Sequence, residues 1–146
     1  MRDIKLRAWL KSEKQMWHNP YFPKGINADY LCVDGDWGHS RDNVILMQYT
    51  GLKDKNNKEI YEGDILAVKD YSTNVITDDG QGPQEQFNHI TQVYYSKGQW
   101  LVNIKESGDI VYSGTINLHH LLFDLVGKDN IEVIGNKYEN LELLST

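Results

Sequence analysis

The sequence predicts a mainly β protein with one or two short helices, arranged as a small barrel or roll. Short runs of alternating apolar and polar residues recur along the chain, and turn-forming residues separate them. The chain carries nine Tyr and four Trp, and aromatic side chains suit pleated, half-buried surfaces. Because short turns rather than helices separate the predicted strands, the pattern favours a barrel or roll over alternating βαβ units.

The N-terminal part predicts a β-hairpin followed by largely irregular chain. Residues 3–9 alternate, with Ile4, Leu6 and Ala8 on one side, which predicts a strand with one apolar face. The elements expected here are this strand, a turn at 11–14, a return strand at 15–17, a loop at 18–29, a short strand at 30–33 and irregular chain at 37–42.

A strand at 44–50 opens the central part, and two turns follow it. Asn56 and Asn57 both tolerate the left-handed conformation, so they suit a tight two-residue turn before a return strand at 58–61. Gly63 is expected at positive φ in the second turn, ahead of a strand at 64–69. There, Asp64 either bonds backbone N–H groups of its own turn or faces a ligand.

The C-terminal half combines predicted strands with one segment of helical period. Leucines at i, i+3, i+4 and i+7 predict a helix over 117–126, with Asn117 at its start and Gly127 at its end. Asn136 and Glu139 have capping-box spacing, which predicts a short terminal helix. The other expected elements are a long polar loop at 71–88, strands at 90–95, 100–105, 109–112 and 132–134, and a hairpin loop at 96–99.

Bulk properties limit the function classes. A chain of 146 residues has the usual size of one domain and buries about two-thirds of the surface of its unfolded form. Its net charge of −6 argues against a dominant nucleic-acid role. One cysteine, Cys32, excludes an intrachain disulfide and fits a reducing cytoplasm. No signal peptide and no apolar run of ~20 residues is evident, so a cytoplasmic protein without a membrane span is expected.

Three blocks of the sequence are similar to the YopX family of phage and prophage proteins. They are DIKLRAW at 3–9, ILMQYTGLKDKNNKEIYEGDIL at 45–66 and EVIGNKYENLELL at 132–144. The chain departs from the family at Asn57, where Gly is common, at Leu141, where Pro is common, and at Leu10, where many members have Asp. Asn57 keeps a residue tolerant of positive φ, so the turn should form.

The resemblance implies a fold rather than an activity. It implies an SH3-type small barrel with an additional N-terminal portion, in one YopX-like domain over residues 1–146. We divide it into an N-terminal hairpin and loop portion at 1–43 and a barrel with C-terminal helical elements at 44–146. The residues of the family motif, interpreted as structural, are Trp9, Gly51, Leu52, Asp54, Gly63, Asp64, Gly135 and Asn136.

The densest carboxylate group consists of Asp54, Glu59, Glu62 and Asp64. Paired carboxylates can perform acid–base chemistry or hold a divalent ion, so a divalent-metal-dependent hydrolase is the weaker alternative. However, three lysines, at positions 53, 55 and 58, interleave with these acids. This pattern favours a solvated hairpin with surface ion pairs.

The cysteine and histidines indicate no metal or cofactor. Cys32, His18 and His39 fit no compact zinc template, and Cys32 is expected to be a buried small hydrophobe. His119 and His120 diverge by ~100° on a helix, so one should be exposed and the other half-buried.

Basic and aromatic residues supply an alternative function, a nucleic-acid-binding module. The contacts proposed for it are Lys5, Arg7, Lys11 and Lys14 of the N-terminal hairpin. The candidate platforms for base stacking are Trp9, Trp17, Trp37, Trp100, Tyr94 and Tyr95. The first hypothesis is instead a non-enzymatic phage accessory protein that contacts a phage or host protein, or forms a homo-oligomer.

Overall fold

The computed structural model describes residues 5–18, 20, 30–33, 36–72, 85–104 and 114–145. In this part of the chain the protein is mostly β with one short α-helix and a curled half-barrel sheet, which confirms the predicted fold class. The chain divides into two units, Met1–Gly51 and Leu52–Thr146.

The first unit contains the predicted N-terminal hairpin. Strands β1 (Leu6–Leu10) and β2 (Gln15–His18) pair antiparallel across a turn at residues 11–14. A second antiparallel pair consists of β3 (Tyr30–Val33) and β4 (Asp36–Ser40). A 3₁₀ turn (Arg41–Asn43) leads into β5 (Val44–Lys53), which pairs with β1.

Two expectations for the first unit were wrong. Irregular chain was expected at 37–42, but β4 forms by pairing with β3, although its sequence DWGHS lacks apolar alternation. Tertiary pairing overrides local propensity there. The expected single apolar face of β1 is also wrong, because Arg7 and Trp9 are buried as well as Ala8 and Leu10. β1 lies between β2 and β5 in its sheet, and the side chains on both of its faces are buried from Arg7 to Leu10.

The second unit holds the main core. Its strands are β6 (Glu59–Tyr61), β7 (Asp64–Ser72), β8 (Glu85–Gln92), β9 (Tyr94–Ser96), β10 (Gln99–Ile104), β11 (Gly114–Asn117) and β12 (Ile131–Asn136). Two three-stranded sheets have the orders β12-β7-β8 and β11-β10-β9. Inward residues of both sheets pack with the leucines of the helical segment. The buried cluster contains Ile60, Leu66, Val68, Val93, Val102, Ile104, Ile116, Leu118, Leu121, Leu122, Ile131 and Val133.

A threonine hydroxyl connects the two sheets between β8 and β10. Thr91 Oγ1 donates to the carbonyl oxygen of Asn103 at 2.8 Å and accepts from the N–H of Asn103 at 3.1 Å. The predicted strand at 90–95 is interrupted at Val93, whose N–H and C=O bond to Asp64 and Gly63 instead. The chain therefore bends between β8 and β9, and Thr91 supplies the hydrogen bonds that strand pairing would otherwise make.

The turns follow the predicted chemistry with one correction. Lys97 and Gly98 have φ of 50° and 80°, which suits the two-residue hairpin loop between β9 and β10. The central turn is not the tight two-residue turn that was expected, because the N–H of Asp54 donates to the carbonyl oxygen of Lys58 across three residues, and of Asn56 and Asn57 only Asn57 has positive φ, at 62°. Gly63 has the positive φ expected of it, 86°.

The helical segment begins as α1 (Leu118–His120) and continues as a π-helical turn (Leu121–Leu125). Asn117 Oδ1 accepts from the N–H of His120 at 3.2 Å, which confirms the predicted cap. Gly127 follows at φ 85°. A 3₁₀ turn (Lys128–Asn130) leads to β12, and the terminal helix is a 3₁₀ turn (Leu141–Ser145).

The predicted polar loop at 71–88 is shorter at both ends, because β7 continues to Ser72 and β8 begins at Glu85. Its centre, the predicted strand at 109–112 and nearly all of the loop at 18–29 lie outside the described residues. Within the described ranges, no helix has the length and apolar character needed to cross a membrane.

Candidate functional site

Asp54 is the most completely enclosed carboxylate of the central block, with 0% of its surface exposed. Its Oδ1 accepts from the N–H groups of Asn56 and Lys58, at 2.8 and 2.9 Å. Its Oδ2 accepts from the N–H of Val133 in β12, at 2.9 Å. Both oxygens therefore serve backbone donors: one closes the turn after β5, and the other joins this turn to a distant strand.

Asp64 binds backbone in the next turn of the chain. Its side chain is 1% exposed, and Oδ2 accepts from the N–H of Tyr61 at 2.8 Å. Gly63 donates to the carbonyl oxygen of Val93, and its own carbonyl oxygen accepts from the N–H of Lys137, both at 2.9 Å. The question left open by the sequence is answered, because Asp64 bonds the backbone of its own turn.

Asn136 organises the turn after β12. Its Oδ1 accepts from the N–H groups of Tyr138 and Glu139, and its Nδ2 donates to Glu139 Oε2. Gly135 lies so close to Asn140 that an added Cβ would overlap the Asn140 side chain, 2.7 Å from Cγ. The glycine is needed here for a close approach.

The remaining motif residues are distributed between the units. Trp9 is buried in β1 of the first unit. Gly51 is exposed and has φ of 85° at the last position of that unit. Leu52 packs against the main core of the second unit. Five motif residues, by contrast, belong to one connected set of hydrogen-bonded turns. We call Asp54, Gly63, Asp64, Gly135 and Asn136 the motif cluster.

The other two acids of the predicted carboxylate group lie outside the motif cluster. Glu59 Oε2 accepts from the Tyr61 hydroxyl at 3.0 Å, and Glu62 is partly buried. The described part of the chain has no group of three or more His, Cys, Asp or Glu side chains arranged to hold a metal ion. Instead of a solvated hairpin throughout, the central block therefore combines two buried carboxylates with an exposed surface of lysines.

The four basic residues proposed for nucleic-acid contact have different surroundings. Arg7 is 6% exposed, and its Nη2 lies 3.7 Å from the sulfur of Met47. Lys5 places its ammonium 5.5 Å from the ring centre of Tyr49. Lys11 Nζ donates to the carbonyl oxygen of Asp42, and Lys14 is exposed in the turn. Arg7 is thus enclosed by the fold, whereas Lys11 and Lys14 are exposed.

The histidine prediction was wrong in part. His119 and His120 are both exposed, although one was expected to be half-buried. His119 lies against Phe123 with ring centres 4.6 Å apart, and His120 Nδ1 lies 2.8 Å from Asp124 Oδ2. Both contacts run along the outer side of the helical segment, which explains why neither ring turns toward the core. The side chains of Cys32, Trp37 and His39 lie outside the described residues.

Sequence reasoning missed the partners of the motif cluster. Val133 and Tyr61 contribute only backbone N–H groups, which no residue type signals. The hydroxyl of Thr91 joins the sheets by bonding the backbone C=O and N–H of Asn103, which is 12 residues away in the sequence. Asn140 is the one partner with a signal in the sequence. Gly135, five residues earlier, is a residue type that permits close approach of another side chain.

The curled sheet and the motif cluster define a small β-barrel-like protein whose sequence signature is built into its turns. The family model described as YopX protein matches residues 5–145, and the chain belongs to the YopX family. Its fold is similar to that of protein EF1440 from Enterococcus faecalis, in a crystal structure with a TM-score of 0.62, 26% sequence identity and 99% of each chain covered. Among curated proteins, none matches the chain.

Proposed function

We propose that the chain is a non-enzymatic phage or prophage accessory protein that acts in the host cytoplasm by protein–protein contact, with a phage or host protein or with further copies of itself. The observation that carries the proposal is the burial of Asp54 and Asp64 on backbone N–H groups. A general acid or base must come within hydrogen-bond reach of a substrate proton. Two enclosed carboxylates bound to their own backbone serve the fold instead.

The surface of the second unit supports protein contact. Tyr95 is 54% exposed and lies against the half-buried Trp100, with ring centres 4.8 Å apart. Phe123 is 57% exposed on the helical segment. Exposed aromatic side chains provide large contact area with few rotatable bonds, and they are enriched at protein interfaces.

The sheet of β9, β10 and β11 is also poor in charge. Within residues 94–104 and 114–117, Lys97 is the sole charged side chain, although the whole chain has a net charge of −6. On the face opposite the core, Asn103 Oδ1 accepts from the hydroxyls of Tyr94 and Thr115. Depletion of charge together with enrichment in tyrosine is typical of the centre of a protein interface.

The surroundings of the basic residues favour protein contact over nucleic-acid binding. Arg7 is buried, and Lys11 is bonded to a backbone carbonyl. A phosphate-binding surface needs several accessible cations in a row. If the chain is instead a nucleic-acid-binding module, its binding to single-stranded DNA or RNA will weaken steeply as the salt concentration rises.

The proposal is tested by light scattering and by affinity capture from phage-infected host cells. The wild-type chain is compared with a Tyr95→Ser/Phe123→Ser variant, and Lys97→Ser is the matched control for an exposed change on the same hairpin. We expect the wild type and the control to form a stoichiometric complex, with themselves or with a captured protein. The double variant should lose it without losing stability. A monomeric wild type that retains no partner contradicts the proposal.

A further inference from the structure

β12 is an end strand of its sheet. The strand order of this sheet is β12-β7-β8, so β12 has a neighbour on one side only. One row of backbone N–H and C=O groups of β12 is therefore directed away from β7. In a strand, the N–H and C=O of one residue point to the same side, and alternate residues point to opposite sides. Ile131 and Val133 therefore present their backbone groups at the edge. Such an edge is a template for a strand of another chain.

The turn at residues 53–58, which we call the cover turn, occupies this edge. The N–H of Lys55 donates to the carbonyl oxygen of Ile131 at 3.0 Å. Asp54 Oδ2 accepts from the N–H of Val133 at 2.9 Å. One backbone donor and one side-chain acceptor thus reproduce the hydrogen bonds that a neighbouring strand would make.

Two side-chain contacts hold the cover turn in place. Lys55 Nζ lies 3.2 Å from Glu132 Oε2, and Lys128 Nζ donates to Asn57 Oδ1 at 2.9 Å. Both involve partly exposed groups, so each is weak by itself. Together with the two edge hydrogen bonds, they attach the turn to β12 and to the 3₁₀ turn that precedes it, from residue 128 to residue 133.

We propose that the cover turn is an autoinhibitory contact that prevents β12 from pairing with β12 of a second copy of this chain. An antiparallel pair of identical strands is self-complementary about a two-fold axis. If the two-fold axis passes beside Val133, the two Val133 residues face each other. The Val133 N–H, which Asp54 binds in the single chain, then donates to the Val133 carbonyl oxygen of the other copy. Glu132 then faces the other copy's residue 134 and not its glutamate, so like charges are not opposed.

The inference rests on the proposed function, because it names β12 as the latent route of self-association. The test compares Asp54→Asn with Asp64→Asn. Asp54→Asn retains one acceptor oxygen but cannot satisfy both sets of N–H donors. Asp64→Asn alters a similarly buried carboxylate whose Oδ2 accepts from the N–H of Tyr61 in another turn, and so it controls for general destabilisation.

Two readouts are needed, the amide hydrogen exchange of Val133 and the mass by light scattering over a concentration series. In dilute Asp54→Asn, exchange at Val133 should rise roughly tenfold, as expected when a buried donor loses its acceptor. At high concentration this variant should form dimers, and the Val133 amide should become protected again. Asp64→Asn should keep the mass of the wild type across the concentration series, with the Val133 amide protected to the limit set by global stability.

The inference is overturned if Asp54→Asn has no greater mass than the wild type at high concentration, if its added association leaves Val133 unprotected, or if Asp64→Asn gains mass equally. If Asp54→Asn does not fold, the milder pair Glu132→Gln and Lys128→Ala frees the flanks of the cover turn and is judged by the same readouts. These results are independent of partner capture by the exposed aromatics, so the inference can fail while the proposed function holds.

Discussion

Replacement of Asp54 by alanine should destabilise the protein far more than a change at an ordinary charged residue. The substitution removes the acceptor of three backbone N–H groups. A buried donor left without a partner, as at Val133, costs about 1–3 kcal/mol. The donors of Asn56 and Lys58 lie in an exposed turn where water can reach them, so each loses only about 0.5–1.5 kcal/mol. We therefore expect a total loss of about 2–6 kcal/mol.

Urea unfolding followed by tryptophan fluorescence measures this loss, because the chain has four Trp. The midpoint should fall while the m-value stays constant, since the extent of surface exposed on unfolding is unchanged. Asp129→Ala provides the matched control for an exposed aspartate, with an expected effect within about 0.5 kcal/mol. A loss below about 1 kcal/mol for Asp54→Ala would refute the view that this carboxylate holds the turn and β12 together.

The other predictions use the same unfolding assay. Gly135→Ala should lower the free energy of unfolding by about 1–3 kcal/mol, because the added Cβ overlaps Asn140. Asn140→Gly in the same chain should restore much of that stability, and no restoration would contradict the contact. Asn57→Ala should cost about 1–2 kcal/mol at φ 62°, whereas Asn57→Gly should remain within about 0.5 kcal/mol; equal effects would show that the φ does not matter. Thr91→Val should cost about 1–3 kcal/mol because it removes both hydrogen bonds to Asn103, and an unchanged midpoint would rule out the sheet connection.

The sequence predicts the strands and turns that rest on local chemistry. The hairpin at 96–99 follows from Lys97-Gly98, and the N-terminal hairpin follows from alternation around the turn at 11–14. The cap at Asn117 and the break at Gly127 could be located because capping depends on residue type. β4 could not be found, since its backbone pairing with β3 comes without a hydrophobic pattern.

The motif cluster shows more clearly where prediction from the sequence ends. Gly63 and Asp64 were assigned to a turn on local grounds, and the positive φ at Gly63 agrees. The role of Asp54 depends on Val133, 79 residues away, and only a backbone N–H is involved. Because every residue type except proline carries that donor, the sequence contains no signal for it. Interleaved lysines suggested a solvated carboxylate, whereas the fold turns Asp54 inward and leaves the lysines outside.

Carboxyl labelling with a water-soluble carbodiimide, read by mass spectrometry, tests the central claim that the motif carboxylates serve the fold. Asp124 and Asp129 are exposed and provide internal references in the same molecule. We expect Asp54 and Asp64 to remain unlabelled in the native protein and to react like the references once the chain is unfolded. Native labelling of Asp54 and Asp64 at the rate of Asp124 and Asp129 would contradict the claim and return these carboxylates to the candidates for a ligand-facing site.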